Sequence, residues 1–420
     1  MLVCSEMARL RAVCALVALV LGVGCTSPRV NRDSAALAEP VDPVVLRPAE
    51  PPSADALLVA AVFPTLGRYG VSGLQSLNGV RLATDEINRG GGVHGRLIEL
   101  REYRTGSYFV DAQKAASLAA DEGALAIVGS NSSELSMVLA AVAESRGVVQ
   151  VSNVSTTQDL TWDPPTGQNR EFVFRVCSSD VVMGALLADF ATQKLGSRRA
   201  AVLYEVGRTY SARLARSFVD RFEEVSGRVP AEFFYLALET DFRPQLRRIA
   251  GYRPDVLFVP GSFTDATLVG AQATALGLDV TLLGGDSWSN PLLFRRGGPP
   301  GAAYFAELCS PSADFERAYQ SVFGEETQGC RAMLAYDAVR VVAAGLDSLG
   351  PLEDDALEGD LAATRRRLRD AVAAVDLAGA SGRIRFDAHG DRRLGVALSA
   401  VERRAGGPPV ALARGWLGEQ

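Results

Sequence analysis

The sequence predicts an α/β fold made of two successive doubly wound units. Short apolar runs, rich in β-branched residues, alternate with segments of helical periodicity, and turn residues separate them. This alternation runs once from residue 56 to 151 and again from residue 200 to 283. The chain has 420 residues, of which 48% are hydrophobic and 22% charged, so it has a globular composition and the length for two large cores.

The pattern places each element in order. In the first unit it predicts strands at 57–63, 97–100, 124–128 and 147–151, helices at 73–88 and 112–120, and a helix through Leu135 and Val142. In the second unit it predicts strands at 200–204, 231–235, 255–259 and 280–283, and helices at 212–222, 242–249 and 266–276. Right-handed crossovers then place a ligand site at the carboxyl ends of the parallel strands.

One such end is the stretch from Ala124 to Ser133. A buried strand ends at Gly129, where the chain turns, and four small polar residues precede the next helix. The start of that helix would offer unpaired backbone N–H groups, hydroxyls and the positive end of a helix dipole, which together favour an anion. The alternative is an ordinary capped helix without a ligand.

Composition and motifs argue against several other classes of protein. The net charge of −6 argues against nucleic acid as a partner, since phosphate backbones require clustered Lys and Arg. Residues 90–95 match G-x-G-x-x-G, but they follow a predicted helix and precede a strand, the reverse of a dinucleotide site. His94 and His389 lack metal-like spacing to Cys or to each other. We therefore expect no enzyme activity, no cofactor and no metal site.

The first 25 residues are predicted to be a lipoprotein signal peptide. Arg9 and Arg11 precede an apolar run, residues 12–23, that is too short to span a bilayer. Cys25 follows a small residue, in a segment that resembles a bacterial lipobox, and is the predicted lipidation site. The alternative is plain secretion with a chance Cys. The predicted location is periplasmic or otherwise extracytoplasmic, with a lipid anchor in the membrane.

Residues 26–55 are predicted to be a tether, because they are rich in Pro, Ala and acidic residues and lack an apolar period. Beyond the tether, Cys177, Cys309 and Cys330 remain for an oxidising compartment. Cys309 and Cys330 flank a predicted helix. A bridge between them would close a loop of about 20 residues, and the alternative is two buried thiols.

Several short segments, in this order and spacing, carry a family resemblance. They are 78–88 with 91–96, 128–133, 156–161, Tyr210, 240–242, 254–255, 335–339 and 382–387. Together they resemble the type I periplasmic binding proteins, of the branch that binds leucine, isoleucine, valine or related amino acids and amides for ABC importers. The resemblance implies two lobes joined by three crossing strands, with a ligand in the cleft. It implies one lobe from 56–174 plus 311–382 and another from 175–310 plus 383–418.

The resemblance also implies roles for individual residues. Ser133 and Thr156 match the residues that bind the ligand carboxylate, and the Val154 carbonyl would accept from the ligand ammonium. Tyr69 and Tyr210 match aromatic residues of the cleft. The remaining predicted ligand-binding residues are Asp286, which matches the acid that pairs the ammonium, and Asn131, Ser132, Ser155 and Ser262.

Departures from the family pattern affect the choice of ligand. Asn131 stands where relatives that bind branched amino acids have a large apolar residue, and Ser262 stands where many have a tyrosine. The pocket should therefore be more polar or roomier, and leucine itself is not favoured as the ligand. Trp288 would either close the pocket or fill core. Helix caps remain the alternative for Ser133 and Thr156, and an ordinary turn residue for Asp286.

The sequence thus predicts a lipid-anchored solute-binding protein. It would capture a small amino acid, amide or related carboxylate between two lobes and deliver it to an ABC permease. The alternatives are a ligand-sensing or regulatory envelope lipoprotein of the same fold, and a structural derivative whose cleft has lost its ligand.

Overall fold

The structure is a computed structural model, and it describes residues 45–48, 50–53, 56–225, 227–289, 302–310, 312–352, 360–402 and 410–418. The predicted signal peptide, Cys25 and most of the predicted tether lie outside the described residues. The described residues, all of which lie within 43–420, form one compact unit.

The strands of the described part are β1 Val45–Leu46, β2 Leu57–Pro64, β3 Ile98–Thr105, β4 Ala126–Gly129, β5 Val149–Ser152, β6 Trp162–Asp163, β7 Gln168–Asn169, β8 Val173–Arg175, β9 Arg199–Glu205, β10 Arg228–Tyr235, β11 Val256–Phe258, β12 Thr281–Gly284, β13 Ala303–Glu307, β14 Asp376–Gly379, β15 Gly382–Arg385, β16 Val396–Glu402 and β17 Val410–Leu417. The α-helices are α1 Gly70–Arg89, α2 Phe109–Asp121, α3 Ser133–Arg146, α4 Asp180–Gln193, α5 Thr209–Glu224, α6 Arg243–Tyr252, α7 Phe263–Ala275, α8 Ala313–Phe323, α9 Arg331–Ser348 and α10 Leu361–Ala373.

Two large sheets organise these elements. The first sheet has the order β1-β3-β2-β4-β5-β8, and its strands are parallel except for β1. The second has the order β10-β9-β11-β12-β13-β16-β17, in which β16 is antiparallel to both of its neighbours and the other pairs are parallel. We call each sheet with its helices a lobe. Both lobes are doubly wound, and the predicted α/β fold is confirmed.

Burial on both faces explains why the strands are continuous apolar runs. In β2, Val59 and Phe63 belong to the core on one face of the first sheet, while Leu58 and Val62 belong to the core on the other. Successive side chains of a strand point to opposite faces, so a parallel strand covered by helices on both sides needs apolar residues at every position. The first face is covered by α1 and α9, and the second by α2 and α3.

The chain passes between the lobes three times, after β8, after β13 and after β15. The fully buried Arg175, at the end of β8, ties two of these crossings together. Its Nε and Nη2 donate to the carboxylate of Asp391 at 2.7 and 2.9 Å. Its Nη1 donates to the carbonyl oxygens of Thr156 at 2.8 Å and Thr157 at 2.7 Å. One side chain therefore connects the crossing segments to the loop that follows β5.

Most predicted elements agree with the structure to within a few residues, and one stretch is corrected. Val45–Leu46, inside the predicted tether, forms β1 and pairs antiparallel with Thr105 and Arg104 of β3. Its short apolar segment satisfies backbone groups at a sheet edge that would otherwise be unpaired. The residue boundaries predicted for the two lobes stay a prediction. Cys309 and Cys330 are joined by a disulfide with a Cα–Cα distance of 5.8 Å, and Cys177 is free and buried.

Within the described residues, no helix combines the length and the apolar character needed to cross a membrane. In the same part of the chain, no group of three or more His, Cys, Asp or Glu side chains is placed to hold a metal ion.

Candidate functional site

The two sheets each have a switch point, and the two switch points face one cleft. In the first sheet β2 and β4 are neighbours, but the helix that follows β2 covers one face and the helix that follows β4 covers the other. In the second sheet β9 and β11 have the same relationship. Open α/β sheets bind ligands at such points, outside the carboxyl ends of the strands.

A cavity of about 60 Å³ lies in this cleft, between the carboxyl ends of the strands of the two sheets. It is lined by Tyr69, Ser72, Asn131, Ser132, Ser133, Glu134, Val154, Arg208, Tyr210, Asp286, Ser287 and Arg331. Among these residues only Val154 has a side chain without a polar atom. Ligand pockets are usually lined by apolar and aromatic side chains, so this wall is suited to a ligand that is polar over most of its surface.

The turn after β4 supplies the start of α3. Ser132 is the helix cap, and its hydroxyl accepts from the backbone N–H of Leu135 at 3.3 Å. The sequence allowed Ser133 to be the helix cap, but in the structure the cap is its neighbour Ser132. Ser133 is the first residue of the helix and lines the cavity. The positive end of the helix dipole at this position favours an anionic group.

Asn131 presents an acceptor to the cavity. The Ser72 hydroxyl donates to the Tyr69 carbonyl at 3.0 Å, so it accepts from Asn131 Nδ2, which lies 2.6 Å away. This chain of bonds orients the amide and leaves Asn131 Oδ1 buried, with no hydrogen-bond partner among the described residues. A ligand N–H group would satisfy it.

Glu134 provides a second acceptor from the same helix start. Its Oε2 accepts from the Tyr69 hydroxyl at 3.4 Å, while Oε1 is buried and finds no hydrogen bond in the described part of the chain. Tyr69 follows β2 and brings an aromatic ring to the cavity wall. The first lobe therefore offers hydroxyls, a helix start and two unsatisfied acceptors.

The second lobe contributes Tyr210 and Asp286. A Cβ on Gly285 would lie 2.3 Å from the Tyr210 hydroxyl oxygen, so glycine is needed for the close approach of the two segments. Asp286 Oδ1 is buried and has no hydrogen-bond partner among the described residues. Burial raises the pKa of the Asp286 carboxyl, whereas the charge of Arg331 and the hydroxyl of Tyr210 lower it. An ammonium group in the cavity would favour the charged form of this carboxyl.

Two arginines also line the cavity. Arg208 lies between β9 and α5, and Arg331 is the first residue of α9. The Nη1 of Arg331 donates to the backbone carbonyls of Gln328 at 3.3 Å and Ser289 at 3.5 Å. Burial lowers the pKa of Arg331, against the attraction of Asp286.

Two ion pairs join the lobes around the cavity. Arg68, next to Tyr69, donates to both carboxylate oxygens of Glu205 at the end of β9. Arg213 of α5 donates to Asp159 in the loop that follows β5, at 2.6 and 2.9 Å. The structure therefore has its lobes closed over the cavity.

The structure brings seven of the predicted residues to the cavity and leaves three away from it. The seven are Tyr69, Asn131, Ser132, Ser133, Val154, Tyr210 and Asp286. Ser155 and Thr156 are fully buried behind the wall, where their carbonyls accept from Arg175. Ser262 is the N-cap of α7, in a capping box with Asp265. Its hydroxyl serves the helix start, and it is not among the lining residues.

Sequence reasoning missed Ser72, Glu134, Arg208, Ser287 and Arg331. Glu134, Arg208 and Ser287 each lie within two residues of a predicted site residue, so position at a strand end was the available signal. Trp288, left open by the sequence, fills core: it is 0% exposed and its Nε1 donates to the Val259 carbonyl at 3.1 Å.

A closed cleft between two α/β lobes, with unpartnered polar atoms from both on its wall, defines a two-lobed solute-binding protein. The chain belongs to the periplasmic binding protein family, whose model matches residues 57–408. Members of this branch serve ABC importers. The predicted family and the predicted class of function are thereby confirmed.

Individual relatives agree with this assignment. The chain is 25% identical over 302 residues to a Leu/Ile/Val-binding protein of Rhizobium johnstonii, which covers 71% of this chain and 81% of that protein. It is 22% identical over 347 residues to the leucine-, isoleucine-, valine-, threonine-, and alanine-binding protein of Pseudomonas aeruginosa, over 81% of this chain and 88% of that one. The crystal structure of a leucine binding protein from Thermotoga maritima matches with a TM-score of 0.73 and 27% identity, over 86% of this chain and 99% of that chain.

Proposed function

We propose that this protein captures a small amino acid, amide or related carboxylate between its lobes and delivers it to an ABC permease, without chemical conversion. The carboxylate of the ligand would bind at the start of α3, beside Ser133. Its ammonium would lie near Asp286. The protein would be held at the membrane by lipid on Cys25, with the folded body outside the cytoplasm.

The observation that carries the proposal is the set of buried polar atoms on the cavity wall that lack partners among the described residues. The acceptors are Asn131 Oδ1, Glu134 Oε1 and Asp286 Oδ1, and the donors are Nε and Nη1 of Arg208. Leaving one such group unsatisfied costs about 1–3 kcal/mol. A ligand with both an ammonium and a carboxylate offers the donors and acceptors that this set needs.

The names of the relatives support the amino-acid class, since they describe binding of leucine, isoleucine and valine. The polar wall argues for a different member of that class in this chain, because only Val154 lacks a polar side chain there. We infer that the protein does not convert its ligand, because its fold and family are those of solute-binding proteins.

A thermal-shift screen of residues 26–420 tests the proposal, with amino acids, amides and small carboxylates as ligands. A ligand at 100 times its Kd stabilises the folded protein by about 2.7 kcal/mol, which raises the melting temperature measurably. If no compound of these classes raises it at millimolar concentration, the proposal is wrong. For the anchor, Cys25→Ser should move the protein from the membrane fraction to the soluble fraction, and an unchanged distribution would contradict lipidation.

A second candidate is a structural derivative that has lost ligand binding, and the two arginines in the cleft favour it. Side chains that had replaced a ligand would have their own hydrogen bonds satisfied. Nε and Nη1 of Arg208, however, have no hydrogen-bond partner among the described residues. The same screen separates the two candidates, since the derivative would bind none of the compounds.

A further inference from the structure

We propose that Arg208 binds a second acidic group on the ligand, so that the site selects amino acids or related zwitterions with an acidic side chain over aliphatic ones. This inference rests on the proposed function and deepens it. It follows from three properties of Arg208: its position, its unsatisfied hydrogen bonds and the occupation of its nearest carboxylate by another arginine.

Arg208 is held in place at the cavity wall. Its guanidinium carbon lies 5.0 Å from the centroid of the Tyr210 ring, an arrangement typical of a cation–π contact. Its side chain is 14% exposed. Arg208 is the N-cap residue of α5 and lies in the short segment between β9 and this helix.

Two of the three nitrogens of this guanidinium lack a hydrogen-bond partner in the described part of the chain. Nε and Nη1 are buried and have no hydrogen-bond partner among the described residues. Guanidinium groups bind carboxylates through two parallel N–H donors, in which Nη2 is paired with either Nε or Nη1. A buried cation with free donors costs stability unless a ligand supplies the acceptors.

The nearest acid does not satisfy Arg208. Glu205 Oε2 lies 3.7 Å from Arg208 Nη1, too far for a hydrogen bond. Both oxygens of Glu205 already accept from Arg68, at 3.0 and 2.8 Å. Arg208 is therefore not simply half of a structural ion pair.

The α-carboxylate of the ligand does not need Arg208. The hydroxyl of Ser133 and the dipole at the start of α3 already form a place for it, in the opposite lobe. Arg208 approaches from the second lobe, with Arg331 as a further cation on the wall. An aliphatic side chain would bury against this guanidinium and leave its donors unsatisfied. A side-chain carboxylate would satisfy them.

Isothermal titration calorimetry on residues 26–420 tests the inference with L-glutamate, L-aspartate, L-glutamine and L-leucine. The variants are Arg208→Met, which removes the charge and the donors, and Arg208→Lys, which keeps the charge but not the planar pair of parallel donors. Arg216→Met, on the exposed face of the same helix, is the control. Circular dichroism and the melting temperature show whether each variant folds.

We expect glutamate or aspartate to bind the wild-type protein more tightly than glutamine or leucine. Arg208→Met should weaken the acidic ligand roughly 30-fold or more and change leucine by less than about threefold. Arg208→Lys should retain part of the affinity, and Arg216→Met should change nothing.

Three results would overturn the inference and leave the proposed function in place. Tighter binding of leucine than of either acidic amino acid would show that the cleft prefers aliphatic ligands, while the proposed function stands. Equal affinity for glutamate and glutamine would show that the site does not recognise the negative charge of the ligand side chain. Equal weakening of all ligands by Arg208→Met would make Arg208 a purely structural residue. If no compound from the whole screen bound, the proposed function would fail together with this inference.

Discussion

Arg68 and Glu205 face each other across the cleft, and the guanidinium donates to both carboxylate oxygens at 3.0 and 2.8 Å. The carboxylate is buried, with its side chain 3% exposed, whereas the arginine is 45% exposed. The pair joins the first lobe next to Tyr69 to the end of β9 in the second lobe. It is therefore a contact that exists only when the lobes are closed.

Removal of this contact should favour the open form. Arg68→Gln should weaken ligand binding about fivefold, since a half-exposed pair contributes about 1 kcal/mol after screening by solvent. The radius of gyration of the unliganded protein, measured by X-ray scattering, should increase. Arg216→Gln, which removes an exposed pair within one helix, serves as the control. An unchanged affinity and radius in Arg68→Gln would show that the pair does not hold the lobes.

The assignment of Asp286 to the ligand ammonium gives a sharper test. Asp286→Asn should weaken ligands that carry an amine by roughly 30-fold or more, because a buried charge pair loses one partner. It should affect the deaminated analogue of the same ligand far less. Calorimetric Kd values for the two compounds provide the measurement. Equal weakening of both would remove Asp286 from this role.

The disulfide between Cys309 and Cys330 should contribute substantially to stability. It spans a sequence separation of 21 residues, and in the chain-entropy model a loop of that size stabilises by about 3 kcal/mol. Urea unfolding of the Cys309→Ser, Cys330→Ser double variant should show this loss. As a control, thiol titration of the denatured, unreduced protein from residue 26 should find one reactive thiol, that of Cys177. Finding three thiols would mean that the bridge does not form.

Stability should also depend on pH through Asp180, the first residue of α4. Burial raises the pKa of its carboxyl from 3.8 to about 8, although the Thr156 hydroxyl favours the charged form. The unfolded chain releases this proton near pH 4, whereas the folded protein keeps it to about pH 8. The contribution of this group to stability is therefore complete below pH 4 and is lost as the pH rises towards 8.

Asp180→Asn should abolish this dependence. Relative to the wild-type protein, the free energy of unfolding of the variant should rise by about 1.4 kcal/mol per pH unit between pH 5 and 8, as measured by urea unfolding. Ser179→Ala, which removes the neighbouring helix cap, should cost about 1 kcal/mol equally at every pH. If the difference in free energy of unfolding between Asp180→Asn and the wild-type protein were also the same at every pH, the buried carboxyl would not titrate as described.

The sequence predicted the fold well because its strands are buried on both faces. Runs such as Leu57–Pro64 have to be apolar throughout, and they stand out against amphipathic helices. Ser133 could be placed in the cleft because it follows a parallel strand, and the carboxyl ends of parallel strands meet along one edge. Tyr210 was placed there by the family resemblance alone.

The cleft charges could not be predicted in the same way. A charged residue at a strand end, such as Arg208, has the same local pattern whether it faces solvent or a ligand. Whether such a residue faces solvent or a ligand depends on the position of the opposite lobe. Ser262 could have been recognised as a cap, because the segment Ser262-Phe-Thr-Asp265 carries the pattern of a capping box. The place of Thr156 behind the wall depends on Arg175, which lies 19 residues further along the chain.

Arg175 has a mechanical consequence for the opening of the cleft. It binds two crossing segments and the loop after β5 at the edge of the first sheet, so the pivot of any lobe rotation lies beside that loop. β2, which leads to Arg68, lies three strands away, at about 14 Å. In a rotation about this pivot, groups beside it would move less than the Arg68–Glu205 contact, because displacement grows with distance from the pivot. An incoming solute would thus meet a half-site that is already assembled, and the swing of the second lobe would add the rest.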